Sequence, residues 1–462
     1  MSVVASLDDK DIELNEMEQL FDTLFPICRS ITGPGVRETL KILGDHMDLK
    51  TYGIPSGTKV FDWTIPPEWR IREAWIKEET GKKIIDFANH NLHVLNYSAP
   101  LNETLSLCEL KKYIHSLPAL PSAIPYVTSY YKKRSGFCMA HEQLESLPDG
   151  NYHAYIDSEF VDGELNIAHG ILPGSSAREI LISTYICHPS MANNELSGPI
   201  VATYLYNRIK KWNNRKFTYR FVFLPETIGS ISYLHLFGQE LKENLYAGLV
   251  LTCLGGTDSN GLGYPLSYKL SRQENSPLDT FLQHLYKTGK FALTLRPFTP
   301  TGGSDERQYC SPGFNLPVGQ MARCVYGQYD GYHNSLDDKD FMSIKELQKS
   351  VDEIEIILKA FEEDGYYVNQ SPYGEVKLDQ HDLYPDMNSP MNRSYSSNEQ
   401  IDGRHFLNHV LTILNYADGQ HRLSDIAEKS DTNIFELIPV VHVLLQKNLL
   451  KGPYLEKRSD FI

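Results

Sequence analysis

An apolar, β-branched run that stops at a histidine constrains this chain more than any other feature. Residues 179–187 are almost wholly apolar or β-branched, the pattern of a buried strand. His188-Pro189-Ser190 ends the run, and the polar stretch 191–199 cannot extend it. From Gly198 onward, Ile200, Val201, Tyr204, Leu205 and Ile209 recur near the helical period. Strand, polar loop and helix form the repeating unit of an open parallel sheet, which places ligands at the carboxyl ends of its strands. The unit recurs. Residues 217–224 predict a second strand ending on Pro225-Glu226-Thr227-Ile228-Gly229-Ser230, and 247–253 a third ending on Leu254-Gly255-Gly256. Two of these ends deliver His188 and Glu226.

The flanking text differs. Leu14, Met17, Leu20, Phe21 and Leu24, then Val36, Leu40 and Leu43, predict two helices joined by 28–33, read as a plain connector. Beyond residue 54, Trp63, Trp69 and Trp75 mark short aromatic strands broken by Pro66-Pro67. Residues 155–158 and 163–167 read as a hairpin. The expected layout is an α/β core over 1–55 and 161–365, interrupted by a small β-rich domain over 56–160. His90, His93, His141, His153 and His169 lie in or near the insertion at spacings that form no metal motif, and are read as surface or structural. An amphipathic helix over 343–361 closes the core. The Tyr, Pro, Asn and Ser-rich stretch 366–400 is read as a linker, and 401–462 as three short helices and a brief strand, the pattern of a winged helix.

Charge narrows the function classes. The net charge of −15 disfavours general binding to nucleic acid or anionic membrane. Residues 391–462 hold eight Lys/Arg against nine Asp/Glu, so the winged-helix segment has no phosphate-binding excess and a packing or protein-partner role is expected of it. No stretch approaches about 18 apolar residues, and the first residues lack a basic region followed by an apolar one. Seven cysteines occur singly. A reduced, cytoplasmic protein off the membrane is the expectation.

The chemistry centres on three residues. A catalytic zinc commonly takes three nitrogen or oxygen ligands and keeps one position open. His188, Glu226 and His333, the last in the polar loop 329–338, each sit beside a predicted strand. The loop 299–307 adds Ser304, next to Gly302 and Gly303, and Asp305, which could be a base, a partner to His333 or a turn residue. Arg272 is a candidate for binding a substrate carboxylate or phosphate, and Asp258 a weaker site candidate.

Several motifs carry a resemblance: Asp62-Trp63 with Glu68-Trp69, Asn91-Leu92-His93-Val94, Cys187-His188-Pro189-Ser190, Leu196-Ser197-Gly198, Pro225-Glu226-Thr227, Gly303-Ser304-Asp305 and Tyr332-His333 with Asp337. Together they are similar to M28-like zinc aminopeptidases. They closely resemble bacterial aminopeptidase-like proteins of the DUF2172/DUF4910 type, which have an inserted N-terminal domain and a C-terminal winged helix. The resemblance covers essentially the whole chain. It implies a mainly parallel aminopeptidase-like core and a setting in surface polysaccharide synthesis. It also implies two zincs on a His, a bridging Asp, a Glu pair, a further acid and a last His.

His188 and His333 match the histidines of that set. The bridging acid falls on Asn194, the Glu pair becomes Glu226-Thr227, and the further acid falls near Cys253. These departures reduce the expectation to zinc at about one ion per chain on His188, Glu226 and His333. Glu226 is either ligand or general base. Glu195 is the substitute ligand if it is the base, and a Cys253 thiolate is a further candidate. The leading expectation is a zinc-dependent aminopeptidase or amidohydrolase that attacks an amide of a peptide or acylated small molecule. The alternative is a catalytically altered protein of the same fold, acting as a binding or assembly component in polysaccharide synthesis. A homodimer joined through the inserted domain is left open.

Overall fold

The computed structural model describes residues 7–289, 291–384 and 403–458. They fall into two compact units, the first spanning Met1–Ser276 and Arg296–Ile354, the second Pro277–Leu295 and Glu355–Ile462.

In the first unit the strands expected from the apolar runs form one sheet. Its order is Lys50–Pro55, Glu164–Leu172, Thr218–Leu224, Glu179–Tyr185, Leu245–Leu251, Val318–Ala322 and Leu266–Lys269. The four strands from Thr218–Leu224 to Val318–Ala322 pair in parallel, and antiparallel strands flank them. Every residue of Glu179–Tyr185 is buried, as a strand covered on both faces requires. Helix Ser197–Lys210 follows and packs tightly. A Cβ on Gly198 would lie 2.2 Å from Thr184 Oγ1 and 2.5 Å from the Leu251 carbonyl oxygen. Only glycine lets the helix approach that closely.

The inserted segment has its own antiparallel sheet, ordered Lys83–Asp86, Glu68–Glu78, Asn151–Val161 and Leu101–Ser106. Its core includes Ala74, Ile76, Phe137 and Ile156. The expected hairpin at 155–167 does not form. Asn151–Val161 pairs with Glu68–Glu78, whereas Glu164–Leu172 pairs with Lys50–Pro55 in the main sheet. The short turn between them carries the chain from one sheet to the other. Alternation predicts a strand but does not name its partner.

In the second unit, helices Gly403–Tyr416, Leu423–Lys429 and Ile434–Gln446 accompany a sheet ordered Asp418–Arg422, Tyr366–Asn369 and Leu450–Tyr454. Part of the expected linker is therefore structured: Tyr366–Asn369 is the central strand of that sheet. The rest of the linker from 385 onward lies outside the described residues. Helix Pro277–Thr288 belongs to this unit, although the sequence reading placed it in the core.

Candidate functional site

His188 emerges from the end of Glu179–Tyr185 and is buried. Its Nδ1 lies 2.8 Å from Glu195 Oε2. Glu195 sits in the π-helical turn Ala192–Leu196 that leads into helix Ser197–Lys210. Arg29 closes the back of this pair. Its Nε donates to the His188 carbonyl at 2.9 Å and lies 3.5 Å from Glu195 Oε1. All three side chains are buried; burial raises the Glu195 pKa, and the neighbouring His188 and Arg29 oppose that rise. The segment read as a plain connector thus supplies the counter-ion behind the site.

Fixing Nδ1 leaves Nε2 toward Glu226, whose Oε2 is 3.8 Å away. Burial alone would lower the His188 pKa; Cys187 and Glu195 beside it outweigh burial and raise it. A ring flanked by carboxylates on both sides favours a cation at Nε2, proton or metal. His333 stands beside His188. Its ring centroid is 5.4 Å from that of His188, and it stacks on Tyr332 at 3.9 Å. Burial and the neighbouring His188 push its pKa down to about 3, so its imidazole is neutral, the form that binds metals.

Glu226 is held by its neighbours. Ser304 Oγ donates to Glu226 Oε1 at 2.6 Å, and the Glu226 amide donates to Cys187 Sγ at 3.3 Å. Thr227 then takes φ 64° and ψ −73°, a γ-turn closed by the Ile228 amide on the Glu226 carbonyl at 2.8 Å, which starts helix Ile228–Asn244. Asp305 braces this turn: its Oδ1 accepts from the Thr227 amide and from Ser230 Oγ, each at 2.7 Å. Its Oδ2 is buried with no hydrogen-bond partner among the described residues. Burial first, and the charge of Glu226 second, raise its pKa to about 8. Ser304 and Asp305 therefore both hold the turn that carries Glu226, and Asp305 braces that turn rather than His333.

Other candidates lie elsewhere. Asn194 donates its side-chain amide to Tyr185 Oη at 3.1 Å, and its backbone amide to Asp337 Oδ2 at 2.9 Å. Glu195 backs the ring of His188 rather than facing the cavity. Cys253 packs with Ala322 and Val325, and burial pushes its thiol up to about 12, which disfavours the thiolate a metal needs. Arg272 is exposed and donates to Asn315 Oδ1 at 2.8 Å. None of these four lines the cavity.

The cavity is about 440 Å³, within the range of small-molecule sites. His188, Glu226 and His333 line it together with Trp63, Tyr126, Tyr130 and Tyr131. Cys187, His188 and Glu195 also form a cluster whose potential ligand atoms lie within 4.8 Å of one another. Here Nδ1 of His188 is committed to Glu195, and burial raises the Cys187 thiol to about 11. The cluster's simplest chemistry is to orient the ring, with the cavity-facing Nε2 left to ligate.

Arg29 and Tyr126 carry no site signal in the sequence beyond a place in loops, and Asp337 stands out there only as part of a motif. Asp337 accepts from the amides of Asn193 at 2.7 Å and Asn194 at 2.9 Å, which ties the loop after His333 to the turn bearing Glu195. Tyr126 packs against both histidines, with ring centroids 5.1 Å from His188 and 5.4 Å from His333. No periodicity marks such residues; only their position after His333 or inside loops offered a signal.

The family model for a domain of unknown function, DUF4910, matches residues 18–364. The chain belongs to the DUF4910 family. A winged helix-turn-helix model matches residues 365–452 of this DUF4910 protein. A relative from Clostridium acetobutylicum is 38% identical over 436 residues, covering 94% of this chain and 96% of its own; it is named for polysaccharide biosynthesis and an aminopeptidase-like domain. A solved structure of a candidate peptidase from Clostridium acetobutylicum superposes with TM-score 0.85 at 36% identity, covering 96% and 97% of the two chains. The zinc aminopeptidase BSAP from Bacillus subtilis shares the fold at 14% identity, TM-score 0.55, over 76% of this chain and 94% of its own. The DUF4910 core thus has the aminopeptidase fold with an inserted domain and a winged-helix-like region. Among the described residues, no helix is long and apolar enough to cross a membrane.

Proposed function

We propose that this protein is an aminopeptidase-fold protein with altered catalysis, serving surface polysaccharide biosynthesis by binding a peptide or acylated small molecule in its cavity. The observation that carries this reading is the state of Asn194. A neutral amide bonded to Tyr185 occupies the position where the resemblance calls for a bridging acid. An amide supplies no negative charge to hold two dications together. The buried Cys253 thiol fits the same loss. The polysaccharide setting rests on the name of the Clostridium acetobutylicum relative.

A specific observation favours a second reading, a one-zinc amidohydrolase. His188 Nε2 lies 3.8 Å from Glu226 while Glu195 holds the opposite nitrogen, the arrangement by which carboxylates orient metal-binding histidines. His188, His333 and Glu226 are the donor types that suit one such ion, but among the described residues their ligand atoms do not form a group within 4.8 Å of one another, so this reading requires a side chain to turn on binding. When bound, such an ion supplies Lewis-acid polarisation of a carbonyl. Within this reading Ser304 orients Glu226, and Asp305 stores a proton beside it.

Metal content and turnover separate the two. Protein purified without a metal-affinity tag is reconstituted with zinc and assayed on aminoacyl amides and N-acylated sugars. The leading reading expects bound ligand without turnover. Sustained amide hydrolysis that disappears in Glu226→Gln would overturn it in favour of the one-zinc enzyme. The cytoplasmic setting and any homodimer belong to the same proposal, and sedimentation of the full chain measures the latter.

A further inference from the structure

A second cluster of imidazole and carboxylate groups lies in the second unit and shares no residue with the cavity. Helix Gly403–Tyr416 carries His405 and His409, four residues apart and so on one face. Their ring centroids are 4.4 Å apart. Glu436, in the first turn of helix Ile434–Gln446, brings its Oε2 to 3.3 Å from His405 Nε2. Thr432 Oγ1 donates to the same carboxylate oxygen at 2.9 Å.

We propose that His405, His409 and Glu436 form a binding site for a divalent transition metal of the zinc, cobalt and nickel class. One potential ligand atom from each residue lies within 4.8 Å of the other two. Ligands bonded at about 2.0–2.1 Å in a tetrahedron stand roughly 3.4 Å apart. The His405–Glu436 separation already meets that spacing. The remaining approach falls to His405, whose side chain is 56% exposed and able to turn. Two imidazoles and one carboxylate suit borderline cations and are a poor set for calcium or magnesium, which demand oxygen. Thr432 steadies the carboxylate as outer partners of metal ligands do.

The ion would join the first turn of helix Gly403–Tyr416 to helix Ile434–Gln446. It would stabilise the folded unit by mass action. A plain ion pair between His405 and Glu436 at this exposure is worth little and gives no metal dependence.

The test is cobalt(II) titration of the full chain, read by equilibrium dialysis and visible absorption, with wild type, H405A, H409A and E436Q compared. The expected result is a loss of about one equivalent of tightly bound cobalt in H405A relative to wild type, together with its tetrahedral absorption band. E436Q, which keeps the side chain's shape, weakens the same equivalent about 10-fold or more. H409A alters a buried side chain, so its loss counts only with an unchanged far-UV circular dichroism spectrum. Equal cobalt binding by wild type, H405A and E436Q would overturn the proposal. Because the cavity residues are intact in all these variants, the result is independent of what the cavity binds.

Discussion

Two strand ends of the same parallel sheet have opposite fates. The end of Glu179–Tyr185 opens into a charged network in which Arg29, Glu195 and His188 are buried and interlocked. The neighbouring end of Leu245–Leu251 leads to Cys253, sealed against Ala322 and Val325. Topology places both where ligands bind in such folds. The contrast teaches that fold position alone carries no chemistry. A polar group persists there only with partners that offset its burial, and without them an apolar contact takes its place.

The largest effect that would break this contrast is on stability. Glu195→Ala leaves Arg29 without its buried carboxylate and is expected to cost about 3–5 kcal/mol. Cys253→Ala removes one apolar contact and is expected to cost about 1 kcal/mol. Urea unfolding of both measures the gap, and equal losses would mean that the two ends are energetically alike. Next comes metal affinity. His188→Ala is expected to weaken zinc binding in the cavity by about 100-fold, the upper effect of disturbing such a shell, while Cys253→Ala leaves it unchanged. Competition with a chromophoric chelator reads both.

A smaller effect sharpens the contrast through pH. The Asp305 pKa is raised from 3.8 to about 8. The folded state therefore holds this proton more tightly than the unfolded chain does. Its contribution to stability is complete below about pH 4 and is lost as pH rises through about 8. Asp305→Asn is expected to flatten that decline in melting temperature between pH 4 and 8, and an unchanged slope would assign the decline to other groups. The smallest effect is the control. Arg272→Ala, at an exposed side chain, is expected to change stability by about 0.5 kcal/mol or less and to leave ligand binding intact.

Much of this was legible in the sequence because burial writes itself as periodicity. The runs 179–187 and 217–224 are apolar enough to be strands of a covered sheet, and each is followed by the loop that delivers His188 or Glu226. Pairing was not legible. Glu164–Leu172 reads as the second half of a hairpin yet joins another sheet. Tyr366–Asn369 is short, lies in polar text, and gains its strand identity from partners near residues 418 and 450. Arg29 was read as part of a connector because its role depends on a carbonyl at position 188. Local sequence reports a residue's own environment poorly when that environment is built by distant chain.

The clamp of Asp337 on the amides of Asn193 and Asn194 has a consequence for synthesis. The carboxylate is made more than 140 positions after the turn that it holds. Arg29, at the other extreme, leaves the ribosome well before His188 exists. An emerging polypeptide can therefore pair its first and middle segments but cannot finish the pocket until its loop at 333–337 has been translated. Fragments that end earlier keep an unfastened turn and lack the second histidine of the pocket.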